Sequence, residues 1–258
     1  MKKSFKKFSC FASSLFILLI HLPFVFAKSI PHAKPQPANT VSANAASNAL
    51  NTLKANYPNT EINIYDSLQL DDMDLSEQAY QDALKGYFKL RSMGRLSNDS
   101  IISIIDFSLS STKKRLFVID IKNCKVLFNT YVAHGRNSGA EFARRFSNSP
   151  SSRESSLGFY VTGDTYNGDH GYSLRLEGEE KGFNSNAYRR AIVMHSADYV
   201  NEDYINENGI LGRSYGCPAI PEDNYKSIID EIKNGSCLFL YGPSKYYLAH
   251  SKFLKQAS

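Results

Sequence analysis

The residues Gly212 to Ile220, GRSYGCPAI, set one cysteine, Cys217, between a glycine and a proline, and His195 lies 22 residues upstream. A thiol attacks a carbonyl as thiolate, so a cysteine with an ordinary pKa near ~8.5 needs an imidazole or a stabilising field beside it. His195 is the candidate base. Gly216 has no Cβ and gives the chain access to left-handed backbone, while Pro218 fixes φ just after the sulfur. Together they describe a turn that holds a thiol out of the core. The competing reading, the commoner one for a cysteine taken at random, is a small, buried, inert thiol.

The stretch 195–220, HSADYVNEDYINENGILGRSYGCPAI, resembles the signature of the murein L,D-transpeptidases, the YkuD-type catalytic domain: a histidine, a spacer, then Ser/Thr-His-Gly-Cys. Ser214, Gly216 and Cys217 match; His195 takes the place of the upstream base. Ser196 falls where the family uses a backbone carbonyl to orient that histidine. Tyr215 stands where the family has a histidine, and Pro218-Ala219 replaces an apolar residue followed by Arg or Asn. Both departures resemble a divergent branch carrying Gly-Arg-Ser-x-Gly-Cys-Pro. In that branch Arg213 either supplies the positive charge missing at Ala219 or is a solvated loop residue. The resemblance runs from about Ile101 to Tyr241 and includes YVAHGRNSG (131–139) and SSLGFYV (155–161). It implies a mostly β fold, a YkuD-like β-sandwich or barrel with a small N-terminal helical region. It also implies Arg213, Ser214, Tyr215 and His170 as substrate contacts, His170 because the family's substrate lid lies in that part of the chain. His134, beside a glycine at a strand end, reads as structural or solvent-facing.

Elements must deliver these residues. Between Asp74 and Met93, Tyr80, Ala83, Leu84, Tyr87 and Phe88 recur at helical spacing, Asp74 and Glu77 suggest a capping box, and Gly94 a stop. From Ile101 the period changes. The segments 101–107, 115–121 and 126–132 are β-branched and aromatic runs between polar turns, read as antiparallel strands. Further short strands are expected at 158–162, 173–176, 191–195 and 238–241. Tyr225, Ile228, Ile229 and Ile232 predict a short helix within 221–233.

The first 27 residues carry Lys2, Lys3, Lys6 and Lys7, no acid, an apolar stretch and Val25-Phe26-Ala27, the pattern of a cleaved signal peptide, with a retained membrane anchor as the alternative. Removing those four lysines takes the formal charge from +5 to +1, so basicity gives no warrant for nucleic acid. Residues 28–52, rich in Ala, Asn, Ser and Pro, read as a flexible tether. The expected order is then a helical region at 53–100, the catalytic domain at 101–245 and a tail at 246–258. Three cysteines follow the leader; with Cys217 as nucleophile, Cys124 and Cys237 are left either to pair or to stay free. No H-E-x-x-H, paired C-x-x-C, G-x-x-x-x-G-K or G-x-G-x-x-G occurs, so no metal or cofactor is expected. The acids Asp71, Asp72 and Asp74 lack the later glycine and glutamate of a calcium loop.

The resemblance thus implies a cell-envelope cysteine acyltransferase acting on peptidoglycan stem peptides. Cys217 attacks the carbonyl of the stem's L-centred diamino acid, backbone N–H groups near Tyr215, Gly216 and Cys217 hold the oxyanion, and D-alanine leaves. An L,D-carboxypeptidase and a non-catalytic wall-binding protein are the alternatives. The sequence leaves oligomeric state open and allows membrane association if the leader is retained.

Overall fold

The computed structural model describes residues 60–255. The expected leader (1–27) and tether (28–52) lie outside them. Two helices come first, α1 (Thr60–Ser67) and α2 (Glu77–Ser92). Ser76 caps α2, its Oγ accepting from Ala79 N–H at 3.1 Å. The expected capping role of Asp74 does not hold: Asp74 takes a φ of 68° and pairs with Lys113 at 3.0 Å. The reason is local, because Ser76 stands three residues before the amide it satisfies. Tyr80, Ala83, Leu84 and Tyr87 are buried as their spacing predicts, and Gly94, with φ 67°, turns the chain out while Arg95 N–H bonds back to Leu90 O at 3.0 Å.

Eight strands follow: β1 (Ile101–Asp106), β2 (Leu116–Asp120), β3 (Lys125–Thr130), β4 (Gly158–Gly168), β5 (Gly171–Gly178), β6 (Val193–Ser196), β7 (Ala219–Ile220) and β8 (Cys237–Tyr241). They form one sheet in the order β3-β2-β1-β8-β4-β5-β6-β7. β1–β2 and β2–β3 are antiparallel, as expected, but β1 runs parallel to β8 and β6 parallel to β7. A parallel neighbour needs a long crossover, and the whole chain between β1 and β8 supplies it. Both β1 and β8 are buried along their full length, which is why IISIID and CLFLY read as continuous runs without a polar face. β4 extends well past the expected 158–162 and pairs with β5 in a long hairpin.

Beyond β3 the chain reaches the other end of the sheet. Ala133 bridges Ala219 and Gly135 bridges Ser214, with Ala133 N–H donating to Ala219 O at 2.8 Å. The sheet therefore curls into a near-barrel whose seam lies beside β7. Three short or medium helices complete the fold: α3 (Glu202–Asn208), α4 (Tyr225–Ile232) and α5 (Lys245–His250). α2 packs on β1 and β8, α4 on β1, β5 and β6. The stretch expected as a tail thus contains most of α5, whose buried Tyr247 hydroxyl donates to Glu180 Oε2 at 2.7 Å. Phe159 N–H donates to the same oxygen and Ser251 Oγ to Glu180 Oε1, so the buried carboxylate ties the C-terminal segment to β4. Burial pushes the Glu180 carboxyl above its usual value against these hydrogen bonds. Cys124, Cys217 and Cys237 are all free thiols, exposed, half-buried and buried respectively.

Candidate active site

β6 delivers His195 to the barrel seam, with its backbone opposite Ala219. The ring is buried, and its Nδ1 lies 2.8 Å from Ser196 O. A carbonyl only accepts, so Nδ1 carries the hydrogen and the neutral ring keeps a lone pair on Nε2. Burial lowers the His195 pKa; the Ser196 carbonyl opposes this, and His170 adds to it. His170 sits at the tip of the β4–β5 hairpin and stacks on His195 with ring centroids 4.2 Å apart and planes 17° apart.

Cys217 lies two residues before β7, on a turn tied by Ser214. The Ser214 hydroxyl donates to Cys217 O at 2.6 Å and accepts from Gly216 N–H at 3.0 Å. Gly216 has φ 124°, and a Cβ there would stand 2.8 Å from Glu154 O, so conformation and space both demand glycine. The thiol donates to Ala191 O at 3.6 Å, and it shares no hydrogen bond with His195. Burial pushes the Cys217 pKa up, while the Val193 amide and the Arg190 guanidinium pull it down. The resting pair is therefore a protonated thiol and a neutral imidazole.

Arg190 binds the surrounding loops through Ser147 O and Glu154 O, each at 2.7 Å, and through the Ser156 hydroxyl. Ser155 Oγ accepts from Gly135 N–H at 3.0 Å and donates to Gly216 O at 3.4 Å. Arg190 was not singled out from sequence, and Ser155 only within the stretch 155–161; their partners are backbone atoms and serine hydroxyls of distant loops.

The predicted contact residues fall in two places. His170, His195 and Ser196 are together on one side of the turn. Ser214 is buried inside it, and Tyr215 projects outward, 64% exposed. Arg213 donates to Gly139 O at 3.1 Å, the carbonyl that also faces His134 Nε2 at 3.3 Å. His134 is fully buried with Nδ1 2.8 Å from Arg115 Nη2. Burial, then the Arg115 charge, hold it at about 3, a neutral structural imidazole. Arg115, itself fully buried and lowered to about 9 by that burial, spends its other donors on Val132 O and Leu109 O. A cavity of about 240 Å³ lined by Tyr166, Arg175, Leu176, Tyr188, Ala191, Ile192 and Val193 adjoins the site, sharing Ala191 and Val193 with the surroundings of the thiol. Among the described residues no His, Cys, Asp or Glu cluster is arranged for a metal ion, and no helix is long and apolar enough to cross a membrane.

A family profile described as the L,D-transpeptidase catalytic domain matches residues 71–241. No curated protein matches the chain. Similar solved structures include an L,D-transpeptidase from Mycobacterium smegmatis, 12% identical with a TM-score of 0.36 over 55% of this chain and 59% of that one. Others are the helical cell shape determining protein Pgp2 from Campylobacter jejuni (12% identity, TM-score 0.37, 57% and 49% covered) and an L,D-transpeptidase from Stackebrandtia nassauensis (14%, 0.33, 66% and 69%). The chain spans 59% of the length of the mycobacterial structure.

Proposed function

The chain belongs to the L,D-transpeptidase catalytic domain family, and from that membership we propose a peptidoglycan acyl transfer in the cell envelope carried by Cys217. A tetrapeptide stem presents the carbonyl of its L-centred diamino acid to the sulfur. His195 Nε2 takes the thiol proton as the S–C bond forms, and the carbonyl π pair moves to oxygen. With the Gly216 N–H committed to Ser214 Oγ, the backbone N–H groups of Tyr215 and Cys217 hold that oxyanion, each worth roughly 3 kcal/mol in comparable sites. The C–N bond then breaks, the imidazolium returns its proton to the departing amine, and D-alanine leaves a thioester. An amine of a second stem attacks the thioester, giving a cross-link and regenerating the thiol.

The observation that carries this reading is the Nδ1–H of His195 bonded to Ser196 O. It orients the ring and leaves Nε2 as the basic atom, on a strand whose neighbour begins two residues after Cys217. Ser214 and Gly216 act by shaping the nucleophile turn. His170, stacked on the base at the hairpin tip, and Arg213 with Tyr215 on the other side line the path of the stem.

The test is intact-mass measurement of the protein and its Cys217→Ala variant with purified disaccharide-tetrapeptide under reducing conditions, with D-alanine and dimer followed together. A Cys217-dependent acyl adduct with D-alanine release is expected, followed by dimeric product. Shortened monomer without dimer would replace transferase by carboxypeptidase. A folded protein giving neither adduct nor D-alanine would overturn the acyl-transfer reading in favour of wall binding.

A further inference from the structure

The loops around Cys217 concentrate positive charge of one kind. Residues 134–156, 185–193 and 209–219 hold seven of the chain's eleven arginines, no lysine, and two acids, Glu141 and Glu154. Both acids are engaged, Glu141 by the Ser110 hydroxyl at 2.7 Å and Glu154 by Arg145 at 3.6 Å. The exclusive use of arginine matters because its planar fork meets a carboxylate through two parallel hydrogen bonds, which a lysine cannot do.

Two of these arginines frame Tyr215. The Arg136 guanidinium lies 5.8 Å and the Arg153 guanidinium 4.9 Å from its ring centroid. Both side chains are exposed, and among the described residues neither has an ion pair or a side-chain hydrogen bond. Their backbones, by contrast, are fixed. Arg136 N–H donates to Ser214 O at 2.8 Å, Asn137 N–H donates to Arg153 O at 3.1 Å, and Ser214 N–H donates to His134 O at 3.0 Å. Gly135 passes so close that a Cβ would stand 2.6 Å from Arg153 O. Three chain segments are thus laced together so that two forks and one aromatic face open to solvent two residues from the thiol.

We propose that Arg136, Arg153 and Tyr215 form a carboxylate-reading platform that selects acyl donors whose stem carries free side carboxylates over stems in which these are amidated. This rests on the acyl-transfer reading above for the identity of the donor. The anion must belong to the molecule that reaches the sulfur, since the platform adjoins the nucleophile turn itself. A guanidinium held against a ring also keeps its edge free, so each fork can take a carboxylate while the tyrosine face carries the peptide stem. An extended polyphosphate would be met by a long track of cations rather than by two forks beside a thiol.

The experiment uses the full chain carrying Cys217→Ser, which binds without turnover. Calorimetric titration compares a tetrapeptide stem with free side carboxylates, the same stem as carboxamides, and inorganic polyphosphate. The free acid should bind roughly tenfold tighter than the amide. Adding Arg136→Gln and Arg153→Gln together should bring that ratio close to one while thermal melting stays at the parent value. If the double substitution melts early, Arg153→Lys serves instead; it keeps the charge, loses the fork, and should lower the ratio severalfold. Equal affinities for acid and amide, or a preference that survives these substitutions, overturn the platform. Polyphosphate binding that depends on both arginines, with acid and amide bound equally, overturns it in favour of a polymer site. D-alanine release by the wild-type chain is measured alongside: its absence with the acid preference intact removes the acyl-transfer reading and leaves the platform standing.

Discussion

Burial sets the protonation states of Cys217 and His195. Burial raises the thiol and lowers the imidazole, so the two shifts pull apart and the neutral pair is favoured over thiolate and imidazolium. Alkylation of Cys217 by iodoacetamide should accordingly stay slow through neutral pH and rise only above the ordinary thiol value of ~8.5, whereas a preformed ion pair would give a fast plateau below pH 7. Cys124 is exposed, so the rate is read by peptide mass mapping on a Cys124→Ser background. The proposed roles of these two residues come from a short motif, glycine, cysteine and proline in a row with a histidine upstream, and the fold sets both on neighbouring segments at the seam. The hydrogen bonds of Arg190 and Ser155 were not legible in the sequence, because bonds to backbone atoms and hydroxyls of remote loops leave no periodic or local trace. Tyr215 was visible as a departure, yet its two arginine neighbours come from segments more than sixty positions away.

At the scale of elements, α2 shows how a sequence pattern and a packing requirement can oppose one another. Gly86 lies on its buried face, and a Cβ there would come within 2.1 Å of the Phe159 ring. That ring cannot easily yield, being stacked on Phe239 at 4.2 Å. Helix propensity alone predicts that Gly86→Ala stabilises by about 1 kcal/mol, whereas overpacking a core costs about 1–3 kcal/mol. The steric effect should win, and urea unfolding should show Gly86→Ala less stable than the parent; a higher midpoint would mean that α2 rides loosely on the sheet. The helix itself was readable from its apolar stripe. Asp74 and Ser76 are both competent cap residues by type, and it is Ser76 that takes extended backbone and accepts from Ala79 N–H. Strand existence was equally readable, since IISIID and CLFLY are unbroken apolar runs. Their parallel pairing was not, because nothing in either run names its neighbour.

For the molecule as a whole, acid should be more damaging than the surface charge suggests. His134, held at about 3 by burial and by Arg115, is neutral in the folded state and takes up a proton near ~6.5 once unfolded. With the folded pKa depressed, the unfolded state binds more protons below that value, so the stability is fully present above ~6.5 and is lost as pH falls towards 3. Between pH 6.5 and 5 the loss from this one group is roughly 1.5 kcal/mol, and His195, shifted the same way, adds to it. Urea unfolding across that range should therefore be steeper in pH for the parent than for His134→Gln; identical slopes would show that His134 titrates normally.

The barrel seam bears on motion. β6 and β7 share a ladder of two residue pairs, and beyond it the Ala133–Ala219 and Gly135–Ser214 bridges, with the Arg213–Gly139 and Tyr131–Glu202 hydrogen bonds, join the far end of the chain's first sheet half. The ladder of two pairs at this junction is shorter than the five-pair β1–β8 ladder, and a short ladder is expected to open before a long buried one. Because the nucleophile turn spans that junction, each opening loosens the turn and each closure rebuilds it. The thiol's working geometry is then a property of the closed population, and a ligand bridging both lips of the seam would hold it shut.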